Sequence, residues 1–415
     1  MKKMIMIADD LTGACDAGVQ FTQKGFKTVV CFDKESANGI QADVIVLDTN
    51  SRALPQHEAY CAVKDTVAHL KAEELGLIYK KIDSTLRGNL GIELDALMDS
   101  LAFDFAVIAP ALPSLGRTTK EGIHYLHEVP IELTEIANDP KTPVKDSTII
   151  NLLSMQSRRG ASLFPKYLLK ENKNSVLDHV IERLEKKDSL FVCDAESETD
   201  LKEIVNAFSR LPYKILWIGS AGLAEWLPAG QRQISRSPNF EPDKKQLPVL
   251  VVAGSRSGVA KKQVDTLLRS SDIKQVLLSV EMLPEEDNRD SEIYRCQEEL
   301  NRYLIKGLDV VLHVDQGSSV TDDLPSLIEA SLSQIVSVAS RDIKLNGIVL
   351  TGGDTAKAIC KELGVTGIEL IDEVERGLPL SRMIGGPGLL TVTKAGAFGT
   401  DSSLHHAVKR LKGDL

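Results

Sequence analysis

The chain has 415 residues, 43% of them hydrophobic and 26% charged, and carries a formal net charge of −10. That length accommodates two or three domains of ordinary globular composition. The acidic balance argues against a general nucleic-acid or membrane-surface role, an aromatic content of 5% argues against base-stacking platforms, and no apolar run approaches the length of a membrane span.

Strands and helices alternate from the first residues. Strands are expected at Lys3–Ala8, Lys27–Phe32, Val44–Asp48, Ile78–Ile82, Phe105–Ala109, Leu190–Asp194 and Ile215–Ile218. Each is short and rich in Val and Ile, as strands buried on both faces are. Helices are expected at Thr12–Lys24, Gln56–Leu75 and Gly91–Leu101. The N-terminus enters a strand directly, with no signal-peptide pattern.

That first strand runs into Asp9-Asp10-Leu11-Thr12-Gly13. Ligands of α/β proteins sit at the C-terminal ends of parallel strands. Two carboxylates there, ahead of helix N–H groups, suit a Mg²⁺ site, a general base or a grip on a polyhydroxy substrate, and the residues alone leave all three open.

Asn50-Ser51-Arg52 follows the Val44–Asp48 strand. Lys80-Lys81-Ile82-Asp83-Ser84-Thr85-Leu86-Arg87-Gly88-Asn89 follows the next one. The second cluster joins cations, an acid, hydroxyls and an amide. Arg and Lys suit a carboxylate, and Asp with hydroxyls suits alcohols, so the group fits a carboxylate-bearing polyol. The plain alternative is a solvated loop with a Ser84 or Thr85 helix cap. The stretch from Pro110 to Ser157 has several prolines and little helical periodicity. It reads as a functional loop around Arg117-Thr118-Thr119-Lys120-Glu121, against a β-hairpin excursion covering a sheet edge.

A polar, proline-containing break at about 228–247 reads as a linker. A fresh α/β pattern follows, with strands at Val249–Ala253, Val276–Val280, Val310–Val314, Gly347–Leu350 and Leu389–Thr393. The expected organisation is two α/β domains, each a mainly parallel sheet flanked by helices: 1–230, a linker at 231–247, and 248–415.

The second domain has three glycine turns after strands: Ala253-Gly254-Ser255-Arg256-Ser257-Gly258, Thr351-Gly352-Gly353-Asp354-Thr355, and Lys394-Ala395-Gly396-Ala397-Phe398-Gly399. Glycine lets backbone approach a ligand, and a helix N-terminus offers N–H groups to anions. Together the turns point to nucleotide or phosphate binding. There is no G-x-x-x-x-G-K-[ST] and no G-x-G-x-x-G, so neither a P-loop nor a dinucleotide fingerprint is present.

Six scattered cysteines with no C-x-x-C pair read as reduced thiols in a cytoplasmic protein. The pairs His124/His127 and His405/His406 lack convincing additional ligands, which disfavours zinc.

In these motifs the chain resembles the four-carbon acid sugar kinase family, bacterial enzymes that phosphorylate four-carbon sugar acids with ATP. The matching residues are Ile7 to Gly13, Lys81 to Gly88, Pro113 with Gly116 to Thr119, Ala253 to Ser255, Thr351 to Thr355, and Gly396 to Gly399. The resemblance covers nearly the whole chain in order. It implies an acid-sugar domain, a nucleotide domain and an active site in the interdomain cleft. It also implies Asp10, Arg52, Lys81, Asp83, Ser84 and Arg87 as the substrate group, and Ser255, Gly352, Gly353, Asp354, Thr355 and Gly399 as the ATP group.

The reaction it implies is Mg²⁺-dependent transfer from ATP to the terminal 4-hydroxyl of D-threonate or D-erythronate, with a 3-oxo-tetronate as the alternative acceptor. Asp10 and Asp354 are rival candidates for the catalytic base, Mg²⁺ ligands are not assigned, and Asp9 is expected to be a strand-end partner that caps the following helix. A homodimer is an open assembly for such an enzyme; nucleic-acid and membrane partners are not expected. Two rivals are a phosphatase, which needs D-x-D-x-T where this chain has Asp9-Asp10-Leu11-Thr12, and a non-catalytic sugar-acid sensor, which needs no ATP turns.

Overall fold

The computed structural model describes residues 3–37, 39–71, 75–139, 141–227, 247–315 and 323–414. The chain folds as two compact units, Met1–Ser235 and Arg236–Leu415. The expected linker at 231–247 lies almost wholly outside the described residues.

Unit 1 runs β1 (Lys3–Ala8), α1 (Leu11–Thr22), β2 (Thr28–Cys31), β3 (Val44–Asp48), α2 (Gln56–Val67), β4 (Leu75–Lys81), α3 (Leu90–Ser100) and β5 (Phe105–Ala109). After an excursion made of β6 (Arg117–Lys120), β7 (Ile123–Leu126) and β8 (Val129–Pro130), it continues with α4 (Ile149–Gln156), β9 (Gly160–Phe164), α5 (Lys173–Glu185), β10 (Asp188–Cys193), α6 (Glu198–Phe208), β11 (Ile215–Gly219) and α7 (Ala221–Trp226). The main sheet is parallel, in the order β2-β3-β1-β4-β11-β5-β10-β9. Every residue of β2, β3 and β5 is buried, as expected for strands covered on both faces. Behind the far half of the sheet, Phe105, Phe164, Phe191 and Phe208 pack together, with Phe105 edge-on to Phe191 at 5.2 Å.

The chain passes from β1 to β2 and β3 on one side, then crosses to β4 on the other. That reversal is a topological switch point, where a crevice opens outside the C-terminal strand ends.

Unit 2 comprises β12 (Val249–Ala253), α8 (Gly258–Ser270), β13 (Lys274–Leu278), α9 (Glu286–Leu304), β14 (Val310–Val314), α10 (Leu324–Asp342), β15 (Gly347–Thr351), α11 (Gly353–Glu362), β16 (Val365–Glu375), β17 (Leu378–Gly385), β18 (Leu390–Lys394) and α12 (Ser403–Lys412). Its strands follow the order β13-β14-β12-β15-β18-β17-β16. The first five are parallel, whereas β17 runs antiparallel to β18 and β16 antiparallel to β17. Here the order reverses between β12 and β15.

Several expectations shift. The helix expected to reach Leu75 stops at Val67: its buried positions Ala59, Val63 and Val67 end there, and Leu75 already belongs to β4. The Pro110–Ser157 stretch is built as an antiparallel excursion rather than an irregular loop, and Thr119 pairs with Ala195 just beyond β10. The β16–β17 hairpin was not expected at all.

Candidate active site

Three strand ends meet at the switch point of unit 1. Asp9 and Asp10 follow β1, Arg52 comes four residues after β3, and Lys81 closes β4 with Asp83 just beyond. Asp10, not Asp9, caps α1: it accepts from Gly13 N at 3.0 Å and from Thr12 Oγ1 at 2.7 Å. Asp9 instead holds a fork. Arg52 donates to it through Nε at 2.8 Å and Nη2 at 2.9 Å, and also donates to Asp10 Oδ1 at 2.5 Å. Arg52 Nη1 lies 3.8 Å from Asp83.

Arg87 repeats the fork on Asp83, with Nε at 2.8 Å and Nη2 at 3.1 Å, and reaches Asp139 through Nη1 at 3.1 Å. Asp83 also accepts from the Thr85 hydroxyl at 2.5 Å. The carboxylate therefore fastens its own loop, in which Leu86 has φ 62° and Gly88 φ 97°. Leu86 sits in a backbone region that an L-residue enters only when its surroundings impose it.

The electrostatics follow from this geometry. Burial pushes the Asp9 carboxyl up, but Arg52, with Lys80 and Lys81 behind it, outweighs burial and holds it below the ordinary carboxylate value. Burial opposes ionisation of Asp83 too, and Arg87 and Arg52 hold it well below that value. Beneath them Lys80 Nζ lies 2.5 Å from Glu93, which also accepts from Ser51 at 2.7 Å; burial raises the Glu93 pKa.

Lys81 differs from its neighbours. Its Nζ donates to Ile82 O at 2.8 Å and forms no ion pair among the described residues. A Cβ on Gly13 would fall 2.8 Å from that Nζ and 2.4 Å from Asp10 Oδ1, so the ammonium and the carboxylate flank the start of α1. The buried Ser84 hydroxyl has no hydrogen-bond partner. All six residues of the expected substrate group thus come together.

In unit 2 the three glycine turns also converge. A Cβ on Gly254 would lie 2.2 Å from Thr355 Oγ1, and one on Gly396 would lie 2.3 Å from Ser255 Oγ. Ser257 caps α8 through Ala260 N at 3.1 Å and donates to Gly396 O at 3.1 Å. Gly352 has φ 102° at the start of α11, and the nearest atom to a Cβ there is 3.4 Å away. Its glycine is required by backbone conformation, and a Cβ there would make only ordinary contacts with Thr355 and Ser255. Thr351 Oγ1 is buried without a hydrogen-bond partner among the described residues, and Asp354 is exposed in the first turn of α11. Gly399, at φ 88°, abuts Ser403 and Gln263; the latter donates to Phe398 O at 3.0 Å and Thr400 O at 2.9 Å.

Residues that sequence reasoning did not single out complete both sites. Lys394 is fully buried and donates to the carbonyls of Ala395 at 2.8 Å and of Gly396 and Phe398 at 3.1 Å. Burial lowers its pKa to about 7, against a smaller opposing effect of Glu375. A lysine ending a β-branched strand, Leu390-Thr391-Val392-Thr393, was the available signal. Glu93, on the buried stripe Leu90-Leu94-Leu97 of α3, was another. Among the described residues no three His, Cys, Asp or Glu side chains form a metal cage, and no helix is long and apolar enough to cross a membrane.

The family models that match this chain are a sugar-binding N-terminal domain over residues 4–227 and a nucleotide-binding C-terminal domain over residues 250–404. A D-threonate kinase of Salmonella typhimurium is 34% identical over 423 residues, covering 98% of this chain and 97% of that protein. A D-erythronate kinase of Heliobacterium modesticaldum is 29% identical over 427 residues, covering 97% and 95%. A crystal structure of a protein from Salmonella typhimurium LT2 has the same fold, with a TM-score of 0.82 over 98% of this chain and 99% of that one at 23% identity.

Proposed function

This chain belongs to the four-carbon acid sugar kinase family and is a phosphotransferase, and from that premise we propose that it transfers the terminal phosphoryl group of ATP to the 4-hydroxyl of D-threonate. D-Erythronate is the second candidate, because the erythronate kinase relative is less similar than the threonate kinase relative. The observation that most supports the reading is the pair of sites just described: a polyol- and carboxylate-compatible cluster in the sugar-binding unit, and glycine turns at helix starts in the nucleotide-binding unit.

In the acceptor site, Asp10 and Asp83 offer carboxylate oxygens to sugar hydroxyls. Lys81 Nζ, the Ser84 hydroxyl and the first N–H groups of α1 offer donors to the carboxylate end. In the donor site, the glycine backbone at Gly352, the start of α11, Thr351 Oγ1 and Ser255 fit the phosphates of ATP.

Asp354 stands in that same turn, where its carboxylate and the phosphates would meet as like charges. The pairing makes sense with Mg²⁺, which the Asp354 carboxylate would help to hold and which would supply charge neutralisation during transfer. We assign Asp354 to metal support and Asp10 to orienting the acceptor hydroxyl and taking its proton. Catalysis of this kind is mostly positioning and charge neutralisation.

The test is ADP release with ATP, Mg²⁺ and a panel of D- and L-threonate, D- and L-erythronate and 3-oxo-tetronates. D-Threonate should give the highest kcat/KM. Silence with every four-carbon acid would overturn the function, and highest turnover on a 3-oxo acid would move the chain to that substrate. Asp354→Asn should lower kcat by about 100-fold or more, and near-normal turnover would remove Asp354 from the mechanism.

A further inference from the structure

The excursion after β5 delivers one buried histidine to the acceptor loop. His124, on β7, has no solvent exposure. Its Nε2 lies 2.8 Å from the Ser84 carbonyl and its Nδ1 lies 2.9 Å from Thr119 Oγ1. A carbonyl only accepts, so Nε2 carries the hydrogen and donates it to Ser84. Nδ1 is then a lone pair and accepts from the Thr119 hydroxyl. The Ser84 carbonyl thereby sets the tautomer, and the Thr119 hydroxyl turns its hydrogen to match.

The excursion is anchored firmly enough to act as a support. Thr119 exchanges both backbone hydrogen bonds with Ala195, at 2.9 and 3.0 Å. The β6–β7 turn places Glu121 at φ 52° and Gly122 at φ 74°, and the Asp194 carboxylate accepts from both of their N–H groups, at 2.8 and 2.9 Å. His124 N donates to Ser147 O at 2.8 Å. On the other side of the contact lies a strained segment. Leu86 occupies the left-handed region, Asp83 fastens Thr85 and Arg87, and the Ser84 side chain is left without a partner. Among the described residues, the polar contacts of Ser84 and Asp83 across to the rest of the unit are few, and His124 makes one of them.

We propose that His124 is a positioning residue of the acid-sugar site: its Nε2–H holds the Ser84 carbonyl, and so fixes the direction of the Ser84 hydroxyl toward the acid. This rests on the reading of the acceptor site given above. It gives the excursion a role in acid affinity although His124 itself touches no substrate. The charged groups acting on the ring are Asp83 and Arg117, which oppose one another. Burial dominates and lowers the pKa to about 4, so the neutral, donating tautomer persists across the working range.

The test uses the full-length protein and side chains of matched reach. A glutamine amide nitrogen falls where Nε2 does, whereas an asparagine amide falls short of Ser84. His124→Asn should raise KM for the acid by about tenfold or more while KM for ATP stays within about twofold, since small misplacements of a binding group carry losses of that order. His124→Gln should recover most of that loss. Equal rises for both substrates, no rise, or failure of glutamine to rescue a folded protein would each overturn the proposal.

Ring ¹⁵N shifts give a readout independent of activity. The wild type should show a neutral Nε2–H imidazole from pH 8 to pH 5, and Thr119→Val, which leaves the Ser84 carbonyl in place, should keep it. An Nδ1–H ring or an imidazolium at pH 7 would overturn the clamp. If the wild type releases no ADP with any four-carbon acid, the proposed function fails on its own account, and the ¹⁵N result still decides whether the clamp exists.

Discussion

Arg52 is the residue whose removal best tests the electrostatic reading of the acceptor site. It donates to Asp9 twice and to Asp10 once, and stands near Asp83, with only 16% of its side chain exposed. Arg52→Met keeps much of the aliphatic volume and deletes the charge. Breaking a buried pair by removing one partner costs about 3–5 kcal/mol, because the other charge stays buried without compensation.

The pH dependence gives the sign. Asp9 and Asp83 are both depressed in the folded protein, so in the wild type their stabilisation is present above the unfolded carboxyl pKa near 3.8 and is lost as pH falls below it. Without Arg52, burial is left as the dominant influence on Asp9, and its pKa rises. The variant then takes up a proton on Asp9 at mildly acidic pH and is relieved. The deficit should be largest at pH 7 and smaller at pH 5.

Both tryptophans of the chain, Trp217 and Trp226, lie in unit 1, so fluorescence during urea unfolding reports that unit selectively. With an m-value of about 2–3 kcal/mol/M, the midpoint should fall by about 1–2 M at pH 7. A fall worth less than about 1 kcal/mol, the level of an exposed pair, or an equal deficit at both pH values would refute the reasoning.

Gly13→Ala puts a methyl group against Asp10 Oδ1 and Lys81 Nζ, and Gly396→Ala puts one against Ser255 Oγ. In steady-state kinetics the first should raise KM for the acid and the second KM for ATP; the reverse pattern would exchange the two assignments. Lys394→Met should raise KM for ATP, because the carbonyls of Ala395, Gly396 and Phe398 lose their shared donor. The wild-type Lys394 pKa is depressed from 10.5 to about 7, so the unfolded chain binds the additional proton between those values. Unit 2 should therefore gain stability as pH rises through that window, by at most about 5 kcal/mol. Calorimetric unfolding of the wild type should show the gain and Lys394→Met should lack it; a parallel gain in both would remove Lys394 as the cause.

The strands Val44–Asp48, Phe105–Ala109, Val249–Ala253 and Val310–Val314 are legible to the residue, because a strand covered on both faces reads as an unbroken apolar run. The β16–β17 hairpin was hidden: the run Val365–Glu375 mixes Ile368 and Leu370 with several acids, and its partner follows an Arg-Gly turn of no strong hairpin type. Strand-end residues of the site, such as Asp10, Lys81 and Asp83, announce themselves by interrupting apolar strands. Their supports do not. Glu93 lies on a helix stripe that otherwise reads as core, and Asp139 and His124 come from a segment whose order depends on Asp194 and Ala195, about seventy residues further on.

The acceptor site sets a problem of charge that its geometry answers. It is proposed to bind an anion, yet the carboxylates of Asp9, Asp10, Asp83, Glu93 and Asp139 stand among the cations of Arg52, Lys80, Lys81 and Arg87. Both guanidinium forks already close on protein carboxylates, Arg52 on Asp9 and Arg87 on Asp83, and Lys80 is held by Glu93. Those pairs make a rigid frame rather than a reserve of positive charge. Of the cations, Lys81 has a backbone carbonyl as its recorded acceptor, and it stands beside the start of α1. In the proposed site an incoming carboxylate would meet one ammonium, the Ser84 hydroxyl and helix N–H groups. Arg87, expected from sequence to grip the acid, is already paired with Asp83 and Asp139, and in the proposed site it would act through Asp83. The paired arginines keep Asp9 and Asp83 ionised and hold the carboxylates in place, and in the proposed site Asp10 and Asp83 would present acceptor oxygens to hydroxyls. On the proposed reading, discrimination among four-carbon acids would rest on where those oxygens stand and only secondarily on net charge.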